Sequence, residues 1–371
     1  MTEVVVVGAG IAGVCTAREL ALRGVDVCLL DAGEVSGGTT GLGEGNVLCS
    51  DKDAGPELSL ALLGRALYDE IEASLGDVAQ IRRKGALIVH PEAATWAAEP
   101  ARVARLAAAG VDSALLGPEE VREREPALTG ELHGASYFAE DLQCAPRAIT
   151  RALAREVPRV LTRCRVESIE AGGVRTERGF LAADAVVLAA GAWSGALAAS
   201  AGLELPVEPR WGQLVQLASP VPIRHKVVDG SYLASVTDPG AELQVSTVLE
   251  TTFEGDVLVG SSRARRGFSD AVDPAVTEAM LARAARLMPG LRGGHVARAW
   301  SGLRPWLPDH LPAIGPSRAV EGLWVNTGHE GAGVALGPVS GRLLAQALCG
   351  EPTLADLAPF DPDRFAAVSA R

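Results

Sequence analysis

No two of the six cysteines (Cys15, Cys28, Cys49, Cys144, Cys164, Cys349) stand in a CxxC or CxC pair. Cys15 and Cys28 fall in apolar segments, where a buried thiol behaves as a small apolar group. The thiols are therefore expected to be reduced and the chain cytoplasmic. The six histidines are scattered, with no HxH or HExxH spacing, and no Ser–His–Asp or metal-ligand cluster stands out. The start, "MTEVVVVGAG", lacks the basic segment, apolar run and cleavage site of a signal peptide. No uninterrupted apolar stretch reaches membrane-spanning length, and no repeat or low-complexity tract is present. Positive charge is short too: 34 Lys plus Arg stand against 46 Asp plus Glu, a net charge of −12. That balance argues against nucleic acid or an anionic membrane as main partner. It leaves room for an anionic substrate, because one buried arginine can hold a carboxylate.

What is there is enough apolar residue, 48% of 371, for a large core and two domains rather than a disordered chain. "EVVVVGAGIAGVCTARELALRGVDVCLLDAG" reads as a βαβ unit. Strands are expected over 4–7 and 25–30, with a helix over 12–23 between them. Both strands are near-continuously apolar, as in a parallel sheet covered on both faces. Further helices are expected over 58–75, 100–110, 115–128, 145–157, 273–287 and 337–348. Strands are expected over 85–90, 185–189 and 322–328, with a small meander between 159 and the strand at 185. From 206 to 260 the pattern is short strands with turn signals, "VTDPGAE" and "TFEGDV" among them. The βα elements at the two ends thus flank all-β segments. A sheet-rich part is inserted into a doubly wound domain, and both domains are discontinuous in sequence.

Gly8, Gly10 and Gly13 form GxGxxG between strand and helix, with Ile11 and Ala12 inside the loop. The first glycine makes the tight turn. The second lets backbone amides approach a pyrophosphate, and the third lets helix and strand pack closely. Asp31, followed by Ala32, ends the second strand, where a carboxylate can accept from ribose hydroxyls. The motif alone does not separate NAD from FAD. The long loop "GEVSGGTTGLGEGN" after the second strand suits a flavin: Thr39 and Thr40 offer hydroxyls, and Gly45 and Asn46 close it. A mobile surface loop is the alternative.

Three more stretches carry a family resemblance. They are "ADAVVLAAGAWSGAL", "WSGLRPWLPDHLPAIGP" and "GLWVNTGHEGAGVALGPVSGRLLAQAL". With the N-terminal unit they resemble, in order and over the whole chain, the D-amino-acid oxidase family of flavoproteins. The resemblance implies a Rossmann-type FAD-binding domain with an inserted substrate domain on a mixed or antiparallel sheet. The expected division is 1–80, 145–205 and 318–371 for FAD, and 81–144 and 206–317 for substrate. It implies that Val166 meets the adenine edge through its backbone and that Ala190, Gly191 and Trp193 lie against the cofactor. Gly328, Glu330, Gly331, Ala332, Gly333 and Val334 would turn amides toward the flavin. Gly302, seven residues before Asp309, stands where family members with covalent flavin carry a cysteine, so non-covalent FAD is implied.

The implied reaction oxidises a C–N bond beside a carboxylate, with hydride passing to flavin N5 and the imine then hydrolysed. Glycine, an N-substituted glycine or an imino acid is the implied substrate, with O2 or another acceptor taking the electrons. The alternatives are a flavin subunit of a D-amino-acid, hydroxyproline or opine dehydrogenase, with "GTTGLGEGNVLCSDK" and "GHEGAG" most similar to the hydroxyproline and opine branch, and a non-catalytic FAD-binding subunit. A homo-oligomer or an electron-accepting partner subunit is compatible with either. Arg304 in "GLRP", also counted among the cofactor contacts, is the expected carboxylate clamp, or else a structural ion pair between domains. Tyr232 either adds a hydroxyl near the same carboxylate or packs a strand. Trp211 and Gln213 in "PRWGQ" approach flavin or substrate, or sit in the core. Glu44 and Glu330 meet an amino group or cap a backbone turn.

Overall fold

The computed structural model describes residues 3–232 and 243–365. The expected "VTDPGAE" turn lies outside the described residues. A six-stranded sheet runs in the order Ala313–Pro316, Leu323–Thr327, Ala185–Leu188, Glu3–Val7, Asp26–Leu30, Arg159–Leu161. Its neighbours are parallel except the first pair, which is antiparallel. The reason for the unbroken "VVVV" is visible in the packing. Val4 and Val6 face a core shared with the helices Ile11–Leu22 and Gly333–Leu348. Val5 and Val7 face a second core under the meander Val166–Glu170, Gly173–Thr176, Gly179–Ala182. A strand with two buried faces cannot alternate apolar with polar.

The two chain ends meet here. Only Ala185–Leu188 separates Glu3–Val7 from Leu323–Thr327. The helices that follow those two strands pack closely, because a side chain on Gly337 would crowd Ile11 and one on Gly341 would crowd Cys15 and Thr16.

An eight-stranded sheet runs His295–Trp306, Glu208–Ala218, Val257–Ala264, Leu243–Thr251, Lys226–Asp229, Ala86–His90, Gly134–Phe138, Ser113–Leu116. Lys226–Asp229 and Ala86–His90 are parallel; the other pairs are antiparallel. The mixed sheet beside a doubly wound one is the expected fold class. The strands are longer than the pattern implied: Glu208–Ala218 covers eleven residues. Its neighbours bury both faces, which erases the polar–apolar alternation that marks strand length.

Three helices differ from expectation. The helix over 115–128 is only Pro118–Arg124, because Ser113–Leu116 pairs as an edge strand with Gly134–Phe138 and Pro126 blocks extension. The helix expected from 100 begins at Ala93 and carries Pro100 inside it. The last helix begins at Gly333 and contains Pro338, which has no N–H for the carbonyl of Val334. Tyr68 supplies the missing donor, its hydroxyl giving to Val334 O at 2.6 Å. All six cysteines are free. Among the described residues no helix is long and apolar enough to cross a membrane.

Candidate active site

A cavity of about 860 Å³ lies where the two sheets meet. One part of its wall is the first glycine loop. Gly8, at φ +111, has no room for a side chain, because a Cβ would overlap Ala189 O. Gly13 is tighter still, against Gly8 O, so the third glycine packs helix on strand and does not line the cavity. Gly10, Ile11 and Ala12 do line it, at the start of a helix with no capping side chain of its own. First-turn amides without a cap favour an anion. Thr40 Oγ1 accepts from Ile11 N at 3.1 Å, and Thr39 Oγ1 donates to Leu303 O at 2.6 Å. Asp31 lines the cavity with Ala32, while its carboxylate accepts from Ala9 N and Gly33 N, both at 2.7 Å. Each oxygen keeps a lone pair for a hydroxyl. Val166, Ala190, Gly191 and Trp193 are also in the wall.

The other part of the wall is one face of the eight-stranded sheet. Gly212 and Leu214, Lys226 and Val228, Val248, Ser261, Gly302 and Arg304 all point into the cavity. Within each strand they stand two apart, as side chains on one face must. The same rule places Trp211 and Gln213 on the opposite face. Both are fully buried there. Trp211 Nε1 donates to Ala271 O, and Gln213 holds Thr277 Oγ1 and the Asp273 backbone. They fasten the helix Pro274–Leu287 to the sheet and do not touch the cavity. Gly45 and Gly328 are likewise outside it: Gly45 lets the chain pass Cys144, and Gly328, at φ +83, clears Leu307.

Arg304 is the main cation of this face. Gly212 makes its seat, since any side chain at 212 would overlap the guanidinium. Nη1 donates to Ser262 O at 2.9 Å. Among the described residues it forms no ion pair with a carboxylate. Burial and the nearby Arg263 pull its pKa down to about 10, outweighing Tyr232, Glu330 and Glu44. A buried guanidinium in that state gains from an anion. Tyr232 lines the same cavity, with the Arg263 guanidinium 4.5 Å from its ring centre.

Glu330 sits at φ +46 in the wall, followed by Gly331, Ala332, Gly333 and Val334. Arg210 Nη1 pairs with its Oε1 at 2.5 Å and His310 Nδ1 with its Oε2 at 3.1 Å. Burial alone would raise the Glu330 carboxyl, but the His310 hydrogen bond and the Arg210 and Arg263 charges bring it down to about 2. His329, beside it, is buried against Ser340, and burial lowers its pKa to about 4, so it stays neutral.

Sequence reasoning missed Lys226, Lys52 and Asp51 in the wall, and Arg210 and His310 behind it. Lys226 was the readable one: a lysine opening an apolar strand in "HKVVD" needs a buried acid.

A family model described as FAD dependent oxidoreductase (DAO) matches residues 3–347. The chain belongs to that family. This oxidoreductase is 32% identical to a glycine oxidase of Pseudomonas aeruginosa over 97% of its own length and 98% of that protein's. It is 33% identical to a D-amino acid dehydrogenase of Bradyrhizobium diazoefficiens over 69% of its length and 61% of the relative's. The crystal structure of glycine oxidase from Geobacillus kaustophilus superposes with a TM-score of 0.88 at 27% identity, covering 98% of this chain and 99% of that one.

The residues present fit FAD. Gly8 lets the chain turn tightly, its own amide held by Leu30 O, and among the described residues only the Ile11 amide is taken at the helix start, by Thr40 Oγ1, so the neighbouring first-turn amides are left for a pyrophosphate. Asp31 keeps acceptor capacity beside them. Asn46 and Asn326 border the cavity, and their buried Oδ1 atoms have no hydrogen-bond partner among the described residues, so a bound group with donors can satisfy them. The expectation of an FAD-dependent enzyme is borne out.

Proposed function

We propose that this oxidoreductase oxidises the C–N bond of a small amino acid, with glycine, an N-substituted glycine or a related imino acid as substrate. The observation that carries it is Arg304, a buried, cavity-facing guanidinium without an ion-pair partner among the described residues. A carboxylate is the ligand that matches its fork, because two parallel hydrogen bonds fix orientation as well as position. FAD, held without a covalent bond, supplies the hydride acceptor when bound. The chain's own part is to hold the carboxylate on Arg304, to keep apolar walls (Leu42, Leu48, Val228, Val248) around the reacting carbon, and to exclude water. Glu330 holds its turn through Arg210 and His310. The glycine oxidase similarity supports the substrate size.

The test is anaerobic addition of glycine, N-alkylglycines, D-amino acids and hydroxyprolines to the yellow holoprotein. Bleaching by the first two groups is expected. A colourless protein that cannot take up FAD, or one that no amine bleaches, sinks the proposal. The D-amino acid dehydrogenase similarity supports a second reading, with electrons passing to a partner rather than to O2. Peroxide on readmitting air marks the oxidase; a flavin that stays bleached in air marks the dehydrogenase.

A further inference from the structure

Two carboxylates face the cavity from glycine-flanked turns, Glu44 in "GEG" and Glu330 in "HEG". They differ in what they have left to give. Both Glu330 oxygens are engaged, one by Arg210 and one by His310. In Glu44, Oε2 receives both Lys226 Nζ and Asn46 Nδ2. Oε1 has no hydrogen-bond partner among the described residues, and the Glu44 residue lines the cavity. Lys226 is itself buried, with Glu250 on its far side at 3.9 Å and Lys84 beyond at 2.9 Å from Glu250. The Glu44 side chain is thus fixed from behind and open in front.

Its position is set by the strand that also sets Arg304. A Cβ on Gly260 would stand 2.5 Å from Glu44 Oε1. Arg304 Nη1 donates to the carbonyl of Ser262. An anion acceptor and a cation clamp therefore stand two positions apart along Val257–Ala264, each in a seat left by a missing side chain, Gly260 for one and Gly212 for the other. An α-amino acid carries its carboxylate and its nitrogen on one carbon. Two anchors of opposite sign, one strand repeat apart, match both of its ends.

We propose that Glu44 is a catalytic residue that binds the substrate's amine: its Oε1 accepts an N–H of the ammonium and takes that proton before the C–H bond breaks. This rests on the carboxylate being held by Arg304. In the step, an N–H bond breaks, an O–H bond forms on Glu44, and the electron pair stays on nitrogen, which can then support loss of hydride from carbon. Glu44 becomes neutral, Lys226 keeps Glu250 as counter-ion, and the proton leaves to solvent with the product. The charged and titratable groups around Glu44 are Lys226, with Glu250 and Lys84 behind it, and, along the shared cavity wall, Arg304, Tyr232, Glu330, His329, Asp51 and Lys52, with Asp31, Glu34, Arg165 and Glu167 also in the lining. The ammonium must carry at least one N–H, which excludes quaternary ammonium compounds as substrates.

Binding is read first, on the dithionite-reduced holoprotein, which cannot accept a second hydride. N,N-dimethylglycine, one N–H when protonated, is compared by calorimetry with its isostere 3-methylbutanoate. The parent is expected to prefer the amine about tenfold or more, the scale of one charge-assisted hydrogen bond, and Glu44→Gln to lose that preference while keeping flavin. Equal preference in parent and variant overturns the proposal. Rate is read second, as anaerobic flavin bleaching against pH. In the parent it should level off below the amine's own pKa. In Glu44→Gln it should climb about tenfold per pH unit up to that pKa, since only free amine then reacts. Parallel profiles overturn the proposal. Should Glu44→Gln not hold flavin, Glu44→Asp gives the same readings, with a partial loss expected. A parent that no amine bleaches sinks the amino-acid reading itself; a parent that bleaches with unaltered variants sinks only the role of Glu44.

Discussion

Replacing Arg304 by methionine removes the cation and keeps most of the side-chain volume. The two readings of this arginine, carboxylate clamp and structural ion pair, then predict opposite signs for stability. The guanidinium's pKa is lowered from 12.5 to about 10 by burial and Arg263. A base whose folded pKa is lowered costs stability at every pH below that folded value. By 1.36 kcal/mol per unit, the cost near pH 7 is about 3 kcal/mol. The variant recovers it. Against this, the carbonyl of Ser262 loses the Nη1 donor, which costs about 1–2 kcal/mol. The balance favours Arg304→Met by about 1–2 kcal/mol, so without substrate the FAD-loaded variant should melt at or slightly above the parent temperature. Substrate use moves the other way. Losing two charge-assisted bonds to a carboxylate costs about 3–5 kcal/mol, or roughly 10²–10³-fold or more in kcat/KM. The assays are thermal melting followed by flavin fluorescence and anaerobic bleaching against substrate concentration. A melting temperature several degrees lower with unchanged substrate use would establish the structural ion pair and refute the clamp.

Gly212→Ala should act on the same residue without touching its charge: the new Cβ displaces the guanidinium, and the substrate concentration needed should rise about tenfold or more, with FAD still bound. Tyr68→Phe leaves the Val334 carbonyl without a donor and should cost about 1–3 kcal/mol in denaturant unfolding. In a Pro338→Ala background the helix regains its own N–H at 338, so the same change should cost markedly less; equal costs would show that Tyr68 does not replace the missing bond. Glu330, held at about 2, contributes stability above its unfolded value near 4.3, lost as pH falls from about 5 to 2. The gap between parent and Glu330→Gln, about 3 kcal/mol at neutral pH, should therefore close over that window in chemical unfolding, and a constant gap would refute the assignment.

The glycine loop, the βαβ unit and the last strand–loop–helix were legible because their signals are local. A strand buried on both faces must be apolar throughout, and Gly8 and Gly13 are required by backbone geometry alone. Arg304 was legible through "GLRP" and the family resemblance. The helix over 115–128 was misread because the pairing of Ser113–Leu116 is decided by a strand some twenty residues later in the chain.

By itself, then, the sequence determined a dinucleotide cradle at the N-terminus, a second glycine turn near the C-terminus, and the sheet-rich segment between them. Tertiary structure decided what no spacing encodes. It set which face of Glu208–Ala218 meets the cavity, and so turned Gly212 and Leu214 inward and Trp211 and Gln213 outward. It also brought Lys226 and Arg210 against acids far away in sequence, so that Lys226 takes up one oxygen of Glu44 and Arg210, with His310, both oxygens of Glu330. Charge pairing across a fold depends on which side chains the sheet register brings within a few ångströms, and register is a property of strands already assembled.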